Sequence, residues 1–126
     1  MKLIFDGLAI AAGGAAGAVC RWLVGLGCGQ LFGPRFPIGT MVVNLSGSFF
    51  LGWFITLAAG RLTISDTARL GIAVGFVGAY TTFSTYMFES NALWDNGALI
   101  KASLNLIASI VLGLVAVRLG VTMAGG

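Results

Sequence analysis

The sequence predicts an all-α integral membrane protein with four transmembrane helices, the third broken near its middle, in one four-helix domain covering residues 1–126. Three observations lead there. Of the 126 residues, 58% are hydrophobic and 9% charged, whereas a soluble domain carries about 25% charged residues. Mean hydropathy is +1.00. Apolar runs long enough to cross a bilayer, ~20 residues each, follow one another with short polar interruptions. Seven basic and four acidic side chains cannot cover the water-facing surface of a compact soluble protein of this size. A soluble enzyme, a disordered chain and a nucleic-acid binder are thereby excluded, and a net charge of +3 gives no reason to invoke nucleic acid. The chain has no histidine, which excludes imidazole acid–base chemistry and His-ligated metals.

The first span is expected at 7–32, interrupted only by Arg21. Lys2 ahead of an early apolar stretch imitates a signal peptide. Asp6 interrupts that start, however, the stretch outruns an h-region of about 7–15 residues, and further spans follow. It reads as a permanent helix. Cys20 and Cys28 lie inside it at a spacing that matches no zinc or redox motif, as small packing residues do. Gly33-Pro34-Arg35-Phe36-Pro37 holds both prolines and reads as a loop. The uncharged run 38–60 is the second span, and Arg61 to Arg69, with three charges, is the next connection. The third span is expected at 70–88, followed by a polar turn from Glu89 to Gly97. The fourth, 98–123, carries Lys101 and Arg118 near enough to its ends to snorkel. No stretch remains for a soluble domain.

Orientation follows the Lys/Arg bias between the two sides of the membrane. Four spans put Lys2, Arg61, Arg69 and Arg118 on one side, against Arg35, Lys101 and the deeper Arg21 on the other. So weak a bias permits insertion both ways, and with it an antiparallel homodimer in the lipid of the cell membrane. Twenty glycines, several at four-residue spacing (Gly13 and Gly17, Gly25 and Gly29, Gly71 and Gly75), predict close helix packing. Ser48 with Gly52 and Ser109 with Gly113 repeat the pattern. Packing inside one protomer accounts for most of these, and a dimer interface for a part.

Polar groups inside apolar spans are costly, so function is sought there. Thr40, Asn44 and Ser48 fall at i, i+4 and i+8 on one face of span two, and Asn105 and Ser109 repeat the stripe on span four. Span three carries Tyr80-Thr81-Thr82-Phe83-Ser84-Thr85-Tyr86 after Gly75 and Gly78. Seven consecutive β-branched, hydroxyl and aromatic residues are poor helix formers, which predicts a local break. Carbonyls freed by a break at membrane depth need a partner, and a bound cation is one. A single Ser or Thr ordinarily bonds its own i−4 carbonyl. Asn44 has two donors and two acceptor sites to satisfy and resists that reading. A permeation path built of hydroxyl and amide donors, one arginine and no buried acid suits an anion better than a cation, and an aromatic ring presented edge-on adds a positive rim. The residues reach "small polar solute or anion" and do not name the ion.

Three stretches resemble a known family. Gly13-Gly14-Ala15-Ala16-Gly17-Ala18-Val19-Cys20-Arg21 resembles its GGxxGxxxR first helix, Pro37-Ile38-Gly39-Thr40-Met41-Val42-Val43-Asn44-Leu45-Ser46-Gly47 its PxGTxxxNxxG second helix, and Thr81-Thr82-Phe83-Ser84-Thr85-Tyr86 its TTFSTF signature. The family is that of the Fluc (CrcB) fluoride channels. The resemblance implies an antiparallel homodimer of dual topology with two pores, through which cytoplasmic fluoride leaves the cell passively. It implies pore positions at Asn44, Phe83 and Tyr86, with Thr40, Ser84, Thr85, Asn105 and Ser109 lining or supporting the path and Arg21 attracting anions at the vestibule. It also implies a structural Na+ at the dimer centre, held by the backbone carbonyls of Gly78 and Thr81. Tyr86 stands where the family usually has a second Phe, and Ala79 where a second Gly is common.

Two other classes compete. A small dual-topology multidrug-type transporter needs a membrane-embedded carboxylate in its first helix, where this chain has Arg21 and no acid. A non-transporting membrane assembly subunit would scatter its polar residues by packing need and not in stripes. An enzyme is not expected, since no base stands beside a nucleophile in the spans.

Overall fold

The computed structural model describes residues 1–126 and is helical without strands. The elements are α1 (Lys2–Phe32), α2 (Ile38–Gly60), α3 (Asp66–Arg69), a π-wound segment π1 (Leu70–Val77), α4 (Gly78–Tyr80), α5 (Phe83–Asp95) and α6 (Leu99–Met123). Helices α3, π1 and α4 run on as one composite helix over residues 66–80. Three helices are long and apolar enough to cross a membrane: α1, α2 and α6. Most large apolar side chains lie on the outside, Leu3, Trp22, Ile100 and Leu114 among them, and only 14 of 126 residues are buried. A surface of that kind is suited to lipid, where burial of apolar area is not needed to hide it from water.

Local chemistry sets the ends. Helix α1 has 31 residues, about 46 Å at ~1.5 Å per residue, so its first turn projects beyond the apolar span expected from Gly7. In that turn Lys2 Nζ pairs with Asp6 Oδ2 at 2.9 Å, one turn apart, a modest support for the helix. Asp6 also accepts the Thr67 hydroxyl at 2.5 Å, which ties the start of α1 to α3. The loop expected at 33–37 is present, with Gly33 at φ 75 closing α1 and Pro37 preceding α2. The connection expected over Arg61–Arg69 is shorter than that. Ser65 caps α3, its hydroxyl accepting from the Ala68 N–H at 3.1 Å, so the helix begins at Asp66.

The polar turn expected over Glu89–Gly97 is corrected. Helix α5 continues to Asp95, and only residues 96–98 turn, with Gly97 at φ 76. Two of the polar side chains there, Glu89 and Ser90, face neighbouring helices, while Asn91 and Asp95 are exposed. Glu89 accepts the Thr40 hydroxyl of α2, Ser90 accepts from Asn105 of α6 at 2.8 Å, and Asn91 donates to Asp95 one turn on at 3.1 Å.

Helix α1 lies along π1, and α2 along α6. Both contacts are backbone to backbone. A Cβ at Gly13 or Gly17 would collide with the Gly71 and Phe76 carbonyls, and one at Gly75 would stand 2.6 Å from the Ile10 carbonyl oxygen. On the other side, Gly52 meets the Val117 carbonyl and Gly120 meets Phe49 and Trp53. A Cβ at Gly25, Gly29 or Gly113, also predicted to pack, would meet nothing within 4 Å, although Gly25 itself backs onto Gly39, whose own Cβ would stand 3.2 Å from the Gly25 Cα.

Candidate functional site

The site is built around the two residues that separate α4 from α5. Thr81 (φ −88, ψ 160) and Thr82 (φ −152, ψ 118) are extended. Helical hydrogen bonding fails across them, and the side chains of two other helices compensate. Asn44 on α2 accepts the Thr82 N–H through Oδ1 at 2.8 Å and donates through Nδ2 to the Thr82 carbonyl at 3.0 Å. A side-chain amide thus completes the backbone of a residue 38 positions away. Arg21 on α1 donates from Nε to the Ala79 carbonyl at 3.0 Å. Helix α5 is started by Thr82, whose hydroxyl accepts the Thr85 N–H at 3.2 Å and meets the Thr85 hydroxyl at 3.0 Å.

These diversions have a consequence for two carbonyls. In an unbroken helix the Gly78 carbonyl would accept from the Thr82 N–H, and that of Thr81 from the Thr85 N–H. The first donor is spent on Asn44 and the second on the Thr82 hydroxyl. Thr81 itself bonds backward to the Val77 carbonyl, by N–H at 3.0 Å and by hydroxyl at 2.9 Å. Gly78 and Thr81 therefore each present a carbonyl oxygen without its helical donor.

The stripe on α2 faces a chain of open spaces. At one end of the bundle, a polar cavity of about 700 Å³ is bounded by Arg35, Glu89, Asn96, Lys101 and Thr40. Thr40 also borders a space of about 240 Å³ lined by Arg21, Trp22, Thr82 and Thr85. Thr82 in turn borders a third, again about 240 Å³, lined by Asn44, Ser48, Thr81, Phe83 and Tyr86. Consecutive spaces thus share a wall residue, and hydroxyls and an amide line them in succession. In the third, Phe83 and Tyr86 stand edge to face, centroids 6.1 Å apart at 77°. Phe83 is 73% exposed, whereas Tyr86 is buried, with its hydroxyl donating to the Leu106 carbonyl of α6 at 2.5 Å.

Of the residues expected at a site, Arg21, Thr40, Asn44, Thr85, Phe83 and Tyr86 border these spaces. Ser84 is exposed and borders none of the three. Asn105 and Ser109 lie on the α6 side of Tyr86. Asn105 is buried and donates to Ser90 at 2.8 Å, while the Ser109 hydroxyl is buried without a hydrogen-bond partner. Gly78 and Thr81 sit at the break. Sequence reasoning missed Ser90, which accepts from Asn105 and donates to the Tyr86 carbonyl at 2.8 Å. A buried Asn on α6 demanded a partner, and that demand was the one available signal. The tie between Glu89 and Thr40, and the hydrogen bond between the Ser46 and Tyr80 hydroxyls at 2.9 Å, were also not foreseen.

All-helical, clad in apolar side chains and lined within by a file of hydroxyl, amide and aromatic groups, the molecule is a small multi-pass membrane protein. Its relatives are consistent with that class. The family described as CrcB-like protein, Camphor Resistance (CrcB), matches residues 8–121, and the chain belongs to that family. A fluoride-specific ion channel FluC of Methylococcus capsulatus is 46% identical over 116 residues, 92% of this chain and 51% of that protein. The chain thus spans about half the length of that relative. The fluoride-specific ion channel FluC 1 of Nitrobacter hamburgensis is 44% identical over 114 residues, 90% of each chain. A fluoride-specific ion channel FluC of a Synechococcus strain is 40% identical over 116 residues, 92% of this chain and 89% of that one.

Proposed function

We propose that the protein is a fluoride-selective ion channel of the cell membrane through which cytoplasmic fluoride leaves passively. The observation that carries this reading is the succession of three spaces along the Thr40–Asn44–Ser48 face, roofed by the edge-to-face pair Phe83 and Tyr86. Hydroxyl and amide donors replace the water around a small, strongly hydrated anion. A ring edge adds a weakly positive surface with no fixed charge to trap the ion. The proteins to which the chain is similar bear fluoride in their names, which fits a path of this donor chemistry. A passive channel needs no catalytic step.

The composite helix over 66–80 and α5 together form the fourth crossing in this reading, interrupted at Thr81 and Thr82. Two copies assemble as an antiparallel homodimer with two pores. The small difference in Lys/Arg between the two sides supports it. So does Gly113, where a Cβ would meet nothing within 4 Å, leaving room for a partner's backbone. The Gly78 and Thr81 carbonyls would hold a structural Na+ at the centre of that dimer. Hard oxygen donors released from helical pairing fit such an ion, which would supply positive charge to bind the two breaks together.

Flux assays on protein reconstituted in liposomes test the pore. Phe83→Leu alters an exposed ring and spares the fold, so the variant should remain a folded dimer and lose fluoride flux. Asn44→Leu should lose flux as well. Unchanged flux in both variants would remove the path along α2 from consideration.

A further inference from the structure

We propose that Arg118 and Thr122, near the end of α6, seat the phosphate of an anionic phospholipid whose acyl chains lie along the outward face of that helix. The inference concerns a single protomer and holds whichever ion the protein conducts. Helix α6 packs on α2 through Val117 and Gly120. Ile100, Ile107, Val111, Leu114 and Arg118 fall on the far side of the helix, and all five are exposed. Two shallow grooves follow that side. One of about 570 Å³ runs from Leu99 to Leu112 and is apolar but for Ser103. The other, about 270 Å³, is lined by Leu114, Val115 and Leu119 and holds Arg118 and Thr122. An apolar strip running into a guanidinium and a hydroxyl repeats the order of a phospholipid, chains first and headgroup after.

The protein offers Arg118 no counter-charge. Helix α6 contains no acid, and the one ion pair within 4.0 Å in the molecule is Lys2 with Asp6. Three of the four acids are engaged elsewhere, Asp6 with Lys2 and Thr67, Glu89 with Thr40 and Asp95 with Asn91. The α6 dipole does not account for the residue either, because that effect is confined to the last turn, which holds no basic side chain. Depth adds to the demand. Gly52 of α2 meets the Val117 carbonyl, so Arg118 stands nine residues short of Arg61, ~13 Å further into the membrane. A cation there on a lipid-facing surface is costly unless paired. A lipid phosphate supplies the pair, since the planar guanidinium matches two phosphate oxygens and the Thr122 hydroxyl, one turn on, adds a donor on the same face. Lipid suits this face better than a second copy does. Asn105 and Ser109, on the side of α6 toward Tyr86, lie about 140° and 180° around the helix from Arg118, so the groove turns away from the polar side that a partner would close.

A fluorophore placed on the face tests this. In a Cys20→Ser, Cys28→Ser background, which removes both free thiols, Val111→Cys is labelled with bimane. Val111 is exposed and lies two turns from Arg118 toward the middle of the bilayer. The full chain is reconstituted in phosphatidylcholine vesicles and quenched with phosphatidylglycerol or phosphatidylcholine carrying a doxyl nitroxide on the acyl chain. Phosphatidylglycerol should reach half-quenching at about a fivefold lower mole fraction, the advantage that one basic group near the surface provides. Arg118→Gln should bring the two lipids level, Arg118→Lys should keep most of the preference, and Thr122→Val should lower it in part. Raising the salt from ~0.1 to ~1 M should erode the preference without any substitution. Equal quenching by the two lipids with Arg118 in place, or a preference that survives Arg118→Gln, would overturn the proposal. Loss of the preference on adding millimolar inorganic phosphate at constant ionic strength would overturn it too, by making the ligand a free anion. So would a Val111→Cys label that neither lipid quenches, which would put a second copy on the face.

Discussion

Asn44 turns both ends of its amide to Thr82, accepting from the N–H and donating to the carbonyl, 2.8 and 3.0 Å, and keeps its second amide N–H for the open space it lines. Replacement by Leu leaves two backbone groups of Thr82 without their side-chain partner, at ~1–3 kcal/mol each. Asn44→Leu should lower the thermal midpoint in detergent by several degrees, where Phe83→Leu leaves it unmoved. Equal midpoints for the two would deny that the amide holds the break. Tyr86 gives a smaller effect. Its hydroxyl donates to the Leu106 carbonyl at 2.5 Å, and Tyr86→Phe should cost about 1 kcal/mol of stability while conduction persists through the retained ring edge. The weight of Asn44 was legible in the sequence because four hydrogen-bonding sites in a membrane demand partners. Its partner was not, since nothing local to residue 44 points to a backbone 38 positions on. The hydroxyl rule worked for Ser46, Thr56, Thr81 and Ser90, each bonded to its i−4 carbonyl. Thr40 departs from it by reaching Glu89.

At the level of elements, the bounds of α2 (Ile38–Gly60) coincide with the uncharged run that marked it. Apolar runs report helix length well when lipid is the surroundings. The same logic misread Glu89 to Asp95. Polarity was taken for a turn, whereas Glu89 and Ser90 bond across to α2 and α6, Asn91 and Asp95 pair on the exposed face of α5, and the helix continues. Nothing in the periodicity announces the π form of Leu70–Val77, which lies backbone to backbone against α1. Four-residue spacing of small residues found the right helix faces in part. Gly13, Gly17, Gly71 and Gly75 meet across one interface, but the partner of Gly52 along α6 lies near Gly120, and Gly113 is open. Gly120→Ala places a Cβ against the Phe49 carbonyl and 2.8 Å from the Trp53 N–H nitrogen, which should cost ~1–3 kcal/mol. Gly113→Ala, with open space, should be neutral or gain up to about 1 kcal/mol from helix propensity, unless a second copy seats on it. Thermal denaturation of the two variants side by side reads the difference. Equal losses would place the close approach at the wrong glycine.

For the molecule as a whole, one protomer buries few of its residues and leaves its polar file open along one side. Phe83, 73% exposed, belongs to the path and to the surface at once. A second copy closing that side completes the pore in the proposed assembly, with Na+ between the two breaks. Exchange of Na+ for a large organic cation should then lower the stability of the assembled protein and shift it toward monomer on gel filtration. An assembly indifferent to Na+ would remove Gly78 and Thr81 as its ligands. The most direct measurement is ion loss from liposomes holding the purified protein, followed in parallel with fluoride and chloride electrodes. Rapid fluoride loss with negligible chloride loss is the expected result. Loss of neither ion, from protein shown to be folded and assembled, would contradict the channel and leave a membrane scaffold whose polar file serves packing alone.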